Sequence, residues 1–297
     1  MKIAYGIIEN TIDVTDICFT TLRNRNIITI PSGDINRAHF FTDNNSGILK
    51  KVFILNNGIL TEYDDSLTIK INTLTNTVEA INMNELVNKI LNIHSTLQIN
   101  HGSLNDEFPE QTMAVRYLKG NEKILEIGGN IGRNSLVISS ILKANNNNNF
   151  VVLESDVNIA QQLLENRNIN NFSFNIESSA LSKRKLIQQG WNTIASDVLL
   201  DGYAEINIIS FNELQKKYNI VFDTLVLDCE GAFYYILMDM PEMLNNINLI
   251  IMENDYNDIS QKEQVDLILT VNNFYLDYVE EGGWGPCRSN FFEVWKR

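Results

Sequence analysis

The chain is poor in cysteine, proline, histidine and positive charge, and each shortage excludes something. Its 297 residues include 3 cysteines, 4 prolines and 3 histidines. Cys18, Cys229 and Cys287 form no CxxC or close pair, which argues against a zinc cluster or a disulfide framework. His39, His94 and His101 are scattered without HxxxH or HxxE spacing, so a histidine metal site is not expected. Basic residues number 23 against 37 acidic, a net charge of −14. Residues 1–100 carry −2 of this and residues 101–297 carry −12. A nucleic-acid binder needs a basic patch, because phosphate neutralisation supplies most of its affinity. Nucleic acid is therefore disfavoured as a partner. No run approaches the roughly 18 apolar residues of a membrane span, so no membrane partner is expected. The opening Met1-Lys2-Ile3-Ala4-Tyr5-Gly6 reaches Glu9 too soon for a secretory core. The expected setting is a reduced cytoplasm.

What is present is an apolar share of 44%, enough for about two packed domains. Asparagine and isoleucine are abundant, and both use A/T-rich codons. The asparagine run at 145–149 therefore reads as a loop shaped by genome composition. Residues 1–80 read as a small β-rich domain. Short β-branched runs recur at 2–8, 26–30, 51–55 and 67–71, separated by turn clusters such as Pro31-Ser32-Gly33-Asp34 and Asp43-Asn44-Asn45-Ser46-Gly47. Asn56-Asn57-Gly58 suits a hairpin turn. Leu86, Ile90 and Ile93 then repeat at helical spacing, so 81–106 reads as a helix and a polar linker.

Residues 107–297 alternate strand and helix. Strands are expected at 123–127, 150–153, 172–176, 222–227 and 248–252, with helices at 134–142, 157–166, 232–238 and 261–271. Short continuous apolar strands between helices mean a parallel sheet covered on both faces. The last two, 274–279 and 291–295, have only a Gly-rich loop between them. They must be antiparallel, since a parallel pair needs a longer crossover.

Chemistry concentrates where the first of these strands ends. Glu126-Ile127-Gly128-Gly129-Asn130-Ile131-Gly132 is a strand, a glycine turn and a helix start, which presents backbone N–H groups to a ligand. A dinucleotide fingerprint would need glycine at 128, 130 and 133, and Asn130 and Arg133 break it. The alternative, acidic-x-G-x-x-x-G at Glu126, Gly128 and Gly132, suits a cofactor with a cationic amino-acid end and no pyrophosphate. S-adenosyl-L-methionine is such a cofactor. Glu154 closes the second strand 22 residues after Gly132, where a carboxylate can accept from ribose hydroxyls. Asp228, Glu230 and Glu253 end the fourth and fifth strands on the same rim. They suggest a general base or, as the runner-up, oxygen ligands for Mg²⁺.

Glu126 to Gly132, Glu154-Ser155-Asp156, Ser179-Ala180-Leu181-Ser182 and Leu227-Asp228-Cys229-Glu230-Gly231 resemble, in order and spacing, the FkbM-family methyltransferases. The resemblance implies an α/β fold, the class I methyltransferase Rossmann-like sheet of order 3-2-1-4-5-7-6 with an antiparallel last strand, here preceded by a small mostly-β domain. It implies S-adenosyl-L-methionine as donor and a sugar or glycan hydroxyl as acceptor. Carried over, Glu126, Gly128, Gly129, Asn130 and Gly132 line the amino-acid end. Glu154 binds the ribose with Ser155 also at the cofactor, Ser179, Ala180 and Leu181 flank the adenine, and Asp228 with Glu230 faces the acceptor; Glu253 or Glu230 is the partner of Asp228 or a metal ligand. Cys229 stands where valine is usual, and Gly129-Asn130 replaces the commoner Gly-Ala order.

The N-terminal module, through Ile12-Asp13-Val14-Thr15 and residues 30–37, loosely resembles a β module of giant-virus glycan enzymes. The competing expectation is an accessory domain for homodimerisation or substrate docking. Phe108-Pro109-Glu110-Gln111 could close over the cofactor. Trp284, in the loop 282–287, reads equally as a sugar-stacking lid or as hairpin loop. Trp191, Trp295 and Phe233-Tyr234-Tyr235 read as core. The expected function is sugar O-methylation with Asp228 as base. The rivals are an Mg²⁺-dependent sugar methyltransferase and a non-catalytic protein that keeps the fold.

Overall fold

A computed structural model describes residues 1–43 and 45–297. The expected turn at Asp43-Asn44-Asn45-Ser46-Gly47 falls partly on Asn44, outside the described residues. The chain divides into two compact units, Met1–Val87 and Asn88–Arg297. Among the described residues no helix is long and apolar enough to cross a membrane.

The first unit holds two four-stranded antiparallel sheets. One runs Asn10–Asp13, Lys2–Ile7, Lys51–Asn56, Ile59–Tyr63, and the other Arg23–Asn24, Ile27–Ile30, Thr68–Asn72, Thr77–Ile81. Their inner faces share one core, in which Ile3, Tyr5 and Val52 of the first sheet meet Ile28, Ile30 and Ile69 of the second. Asn56 pairs with Ile59, so Asn57 and Gly58 form the two-residue turn of the hairpin. Both have positive φ, 50° and 79°, the type I′ geometry that matches the strand twist. The strand Ile27–Ile30 ends at the expected turn cluster Pro31-Ser32-Gly33-Asp34, whose last residue begins a helix, Asp34–Phe41, that the sequence pattern did not show.

The second unit is built on a seven-stranded sheet. Its strands are β1 (Ile124–Ile127), β2 (Phe150–Leu153), β3 (Asn175–Glu177), β4 (Thr224–Leu227), β5 (Leu249–Glu253), β6 (Tyr275–Glu280) and β7 (Phe292–Lys296). The order is β3-β2-β1-β4-β5-β7-β6, with β7 antiparallel to both its neighbours. Every residue of β1, β2 and β4 is buried, as continuous apolar strands covered on both faces require. The principal helices are α1 (Phe108–Tyr117), α2 (Arg133–Lys143), α3 (Val157–Ile169), α4 (Phe211–Tyr218), α5 (Ala232–Asp239) and α6 (Ile259–Val271). This strand order, with its reversed last pair, is the class I methyltransferase fold. In such a sheet, the order reverses beside β1 and opens a crevice at the carboxyl ends of β1 and β4.

Between β3 and α4 the chain inserts an antiparallel hairpin, Leu186–Gln189 with Asn192–Ala195, and a third short strand, Ala204–Glu205. Sequence patterning gave no strand there.

Candidate functional site

A cavity of about 780 Å³ opens at the carboxyl ends of β1, β2 and β4. Of the expected cofactor residues, Gly128, Asn130, Glu154, Ser155, Ser179, Ala180 and Leu181 line it. So do Asp228 and Glu230 at the end of β4. Glu126, Gly129, Gly132 and Glu253 do not form its wall.

The glycine turn differs from expectation in what its glycines are for. A Cβ on Gly128, at φ +89°, would lie 1.6 Å from the Asp228 carbonyl oxygen. One on Gly129 would lie 2.1 Å from Val152, and one on Gly132 2.3 Å from Leu163. The missing side chains therefore make room for the protein itself. The turn's N–H groups are also engaged. Gly128 and Gly129 donate to the Leu153 carbonyl, Gly132 to that of Gly129, Ile131 to Asn130 Oδ1 and Asn130 to Glu154 Oε2. The Asn134 N–H in the first turn of α2 donates to Glu107. A pyrophosphate would find its usual donors taken and a carboxylate in its place, which agrees with the sequence-level exclusion of a dinucleotide.

Glu154 spans two features at once. It accepts from the backbone N–H of Asn130 at 2.9 Å and of Asp156 at 2.8 Å, and so ties the end of β2 to the turn after β1. Burial raises its pKa despite these bonds. Two donors leave a carboxylate further lone pairs, so Glu154 retains the capacity to accept from a ligand hydroxyl at the cavity wall.

Glu126 points to the other face of β1 from Leu125 and Ile127, since side chains alternate along a strand. It is 3% exposed, accepts from Ser135 Oγ, and has its pKa pushed up to about 8, chiefly by burial. Around it gathers a group of carboxyls that the sequence pattern did not assemble. Glu107 precedes α1 and pairs with Arg133 at 2.8 Å. Glu110, in the first turn of α1, lies close enough to Glu253 at the end of β5 for the two carboxyls to repel. Asp228 lies within electrostatic reach of Glu107, Glu110, Glu230 and Asp255. Glu107, Glu126, Asp228 and Glu253 all have raised pKa values, with burial the largest cause. Arg133, which also faces Asp106, does not offset that cost. Two buried acceptors here, Glu110 Oε2 and Asn134 Oδ1, have no donor. Among the described residues no set of three or more acidic, histidine or cysteine side chains is arranged to hold a metal ion.

The inserted hairpin supplies wall residues that sequence reading missed. Gln189 pairs with Asn192, which leaves Gly190 and Trp191 as its two-residue turn. Trp191 is 62% exposed and lines the cavity, so its expected place in the core is corrected. Tyr235 likewise lines the cavity and is half exposed, whereas Phe233 and Trp295 are buried as expected. The hairpin is anchored by Gln188, which accepts from Ser155 Oγ at 3.1 Å, and by Asn192, which donates to the Tyr203 hydroxyl at 2.6 Å. An isolated tryptophan in the polar run Gln188-Gln189-Gly190-Trp191-Asn192 was the available signal, since a core residue rarely has such neighbours on both sides. Trp284 is exposed, stacks loosely on Phe291 and is not part of the cavity wall. The Cys229 thiol is pushed up to about 12 by burial and nearby acids, which makes it a poor nucleophile.

No protein-family model matches this sequence, and no curated protein sequence matches it. Solved structures with a loosely similar fold include a ribosomal protein L11 methylase from Lactobacillus delbrueckii subsp. bulgaricus, at 10% identity and TM-score 0.43, covering 67% of this chain and 81% of that one. An O-methyltransferase from Bacillus cereus in complex with SAH is similar at 14% identity and TM-score 0.41, covering 72% and 91%. A methyltransferase FkbM from Methylobacillus flagellatus KT is similar at 9% identity and TM-score 0.43, covering 72% and 59%. The fold assignment rests on the strand order and connections of the chain itself, which are those of a class I methyltransferase.

Proposed function

We propose that the protein is an S-adenosyl-L-methionine-dependent O-methyltransferase that acts on a hydroxyl of a sugar or glycan. The observation that carries the reading is the imbalance beside the cavity. Buried carboxyls with raised pKa values and two donorless acceptors call for a cation that brings its own N–H donors. The amino-acid end of this cofactor meets that description, and Glu154 on the cavity wall suits its ribose. When bound, the cofactor supplies a methyl group on a sulfonium leaving group.

The chain's own work is to align the acceptor and take its proton. Alignment is worth about 7–11 kcal/mol, and a positioned base adds roughly 10²–10⁴-fold. Asp228 is the base in this reading. Its pKa is raised by burial and by Glu107, Glu110 and Glu230, so a positive charge placed beside it would favour its ionised form. Ionised, Asp228 would accept the proton of the acceptor hydroxyl. Glu230, whose pKa is raised by burial and by the nearby Asp255, shares that rim as its partner. Trp191 offers a ring face for a sugar, with Gln188, Asn192 and Asn257 beside it for hydroxyls. Residues 1–80 serve as an accessory module for docking or dimerisation in this reading.

The test is a labelled-methyl transfer screen over nucleotide-sugars and extracted glycans, with and without chelator. A methylated glycan formed by the wild type and lost in Asp228→Asn, with cofactor affinity held within a few fold, is the expected result. Activity in the Asn variant removes Asp228 as base. Loss on chelation moves the reading to the Mg²⁺-dependent enzyme. Cofactor binding with no transfer to any acceptor favours the non-catalytic protein.

A further inference from the structure

The inserted hairpin meets the cavity along an open strand edge. In its three-stranded sheet Asn192–Ala195 lies at one side, Leu186–Gln189 in the middle and Ala204–Glu205 beyond. Of the middle strand only the alternate residues Leu186 and Gln188 line the cavity, as for a strand that shows it one face. All four residues from Asn192 to Ala195 line it, so the cavity wraps over the edge of that strand. The register says which backbone groups this edge presents. Gln189 and Asn192 close the two-residue turn and pair directly. Asn192 and Ile194 therefore turn their N–H and C=O toward the partner strand, and Thr193 and Ala195 turn theirs outward. The Ser196 N–H, next in the alternation, donates back to the Lys185 carbonyl at 3.1 Å. Among the described residues nothing bonds the outward N–H and C=O groups of Thr193 and Ala195. Ser196 Oγ then donates to the Val198 carbonyl at 2.6 Å and accepts from its N–H at 3.1 Å, so the chain turns and the open edge ends.

In an extended residue the N–H and the C=O lie side by side, a donor and an acceptor spaced much like two oxygens on adjacent ring carbons. A vicinal diol satisfies both at once: one hydroxyl accepts from the N–H while its neighbour donates to the carbonyl. An extended peptide also pairs with a strand edge, but two outward residues closed off by a turn are a short run for one. Trp191, next to Asn192 in the same wall, adds an apolar ring face that suits a sugar.

We propose that the outward N–H and C=O of Thr193 hold a vicinal diol of the acceptor sugar. The inference rests on the function proposed above and deepens it. Gln188, which pairs with Thr193 across the hairpin, accepts from Ser155 Oγ at 3.1 Å beside Glu154. The edge is thereby tied to the strand end that meets the ribose, and a sugar gripped there is fixed relative to the methyl donor. The two hydroxyls bound to Thr193 are then not the one that is methylated.

Ligand-observed NMR of the full chain, saturated with S-adenosylhomocysteine, reads the binding of the methyl glycosides of glucose, galactose, mannose and rhamnose, and of monodeoxy forms of whichever binds. Proline at an outward position of an edge strand removes an N–H that the ladder does not use. Thr193→Pro is expected to weaken the glycoside by about 3–10-fold while S-adenosylhomocysteine affinity stays within about twofold. Thr193→Val keeps the backbone N–H and should bind the glycoside like the wild type. Removing one hydroxyl of an adjacent pair should cost the wild type the same factor and cost Thr193→Pro nothing further, which a merely crowded site would not reproduce. If Thr193→Pro does not fold, the deoxy series on the wild type decides: two adjacent hydroxyls matter and the others do not. Full glycoside affinity in Thr193→Pro, no sensitive adjacent pair, or no glycoside bound to the S-adenosylhomocysteine complex overturns the diol seat while the cofactor reading stands. A blocked tripeptide of threonine and valine that binds in place of every glycoside assigns the edge to peptide and overturns it too. Failure to bind S-adenosylhomocysteine overturns the cofactor reading, and this seat with it.

Discussion

Two regions of the larger unit bury charge, and they do so in opposite ways. Behind β7, Lys262 is 1% exposed and bonds both Asp266 and Glu293, the second at 2.7 Å. Trp295 donates its indole N–H to the same Glu293 carboxylate at 3.0 Å. That network is closed, with its cation placed between its acids. The group formed by Glu107, Glu110, Glu126, Asp228 and Glu253 is open. It has more acid than Arg133 offsets, and it leaves acceptors without donors. Burial of charge alone does not mark a functional site. What marks one is a deficit that a ligand of opposite charge would fill.

The comparison breaks most visibly if Lys262 is removed. Lys262→Met leaves Glu293, which is fully buried, without its counter-charge. Breaking one partner of a buried pair costs about 3–5 kcal/mol, so urea unfolding should shift by that amount. A change below 1 kcal/mol would mean that the network contributes little and that the contrast is false.

The open group makes a prediction about pH, with the sign fixed by linkage. The Glu126 pKa is raised to about 8 from an ordinary 4.5, so between those values the folded protein binds a proton that the unfolded chain releases. Its contribution to stability is therefore present below pH 4.5 and is lost as pH rises toward 8. Glu126→Gln removes this dependence. The variant should gain up to a few kcal/mol over the wild type at pH 8 and almost nothing at pH 5, as read by urea unfolding at both. Equal effects at the two pH values would mean that Glu126 is already ionised in the fold, and so that the group is less starved of cations than the geometry implies.

Much of this was legible before any coordinates, and the reason is local. β1, β2, β4 and β5 are short, mostly apolar runs bounded by acids, glycines and asparagines, so their pattern and their ends both show in sequence. The last two strands could only be antiparallel, because too little chain lies between them. The cavity residues at strand ends, Gly128, Glu154 and Asp228, follow from the same pattern. What stayed hidden depends on contacts distant in sequence. Glu110 and Glu253 lie 143 positions apart and meet only because α1 packs on β5. Which way Glu126 faces is set by strand alternation, but whether that face is wet or dry depends on α2, whose Ser135 bonds it. The inserted hairpin was missed because Leu186–Gln189 and Asn192–Ala195 are short and half polar. The helix start at Ser210-Phe211-Asn212-Glu213 was overlooked although its capping box is complete in sequence.

The smallest expected effects come from neighbouring lysines in the N-terminal unit, which sharpen the same distinction. Lys50 is fully buried. Its Nζ meets Asp34 at 2.8 Å, Asp43 at 2.9 Å and the Ile48 carbonyl at 2.9 Å. Lys51, the next residue, also pairs with two acids, Glu62 at 3.2 Å and Asp64 at 3.0 Å, but its side chain is 41% exposed. The contact lists look alike, and solvent separates them. Lys50→Met removes the cation that meets both Asp34 and Asp43, each of which can turn partly to water, so the loss should be about 1–3 kcal/mol. Lys51→Met should leave the unfolding midpoint unchanged within error, because water and salt replace an exposed pair at no net cost. If both variants unfold alike, it is proximity of opposite charges rather than their closure from solvent that stabilises this fold, and the open carboxyl group loses its claim to be an exception.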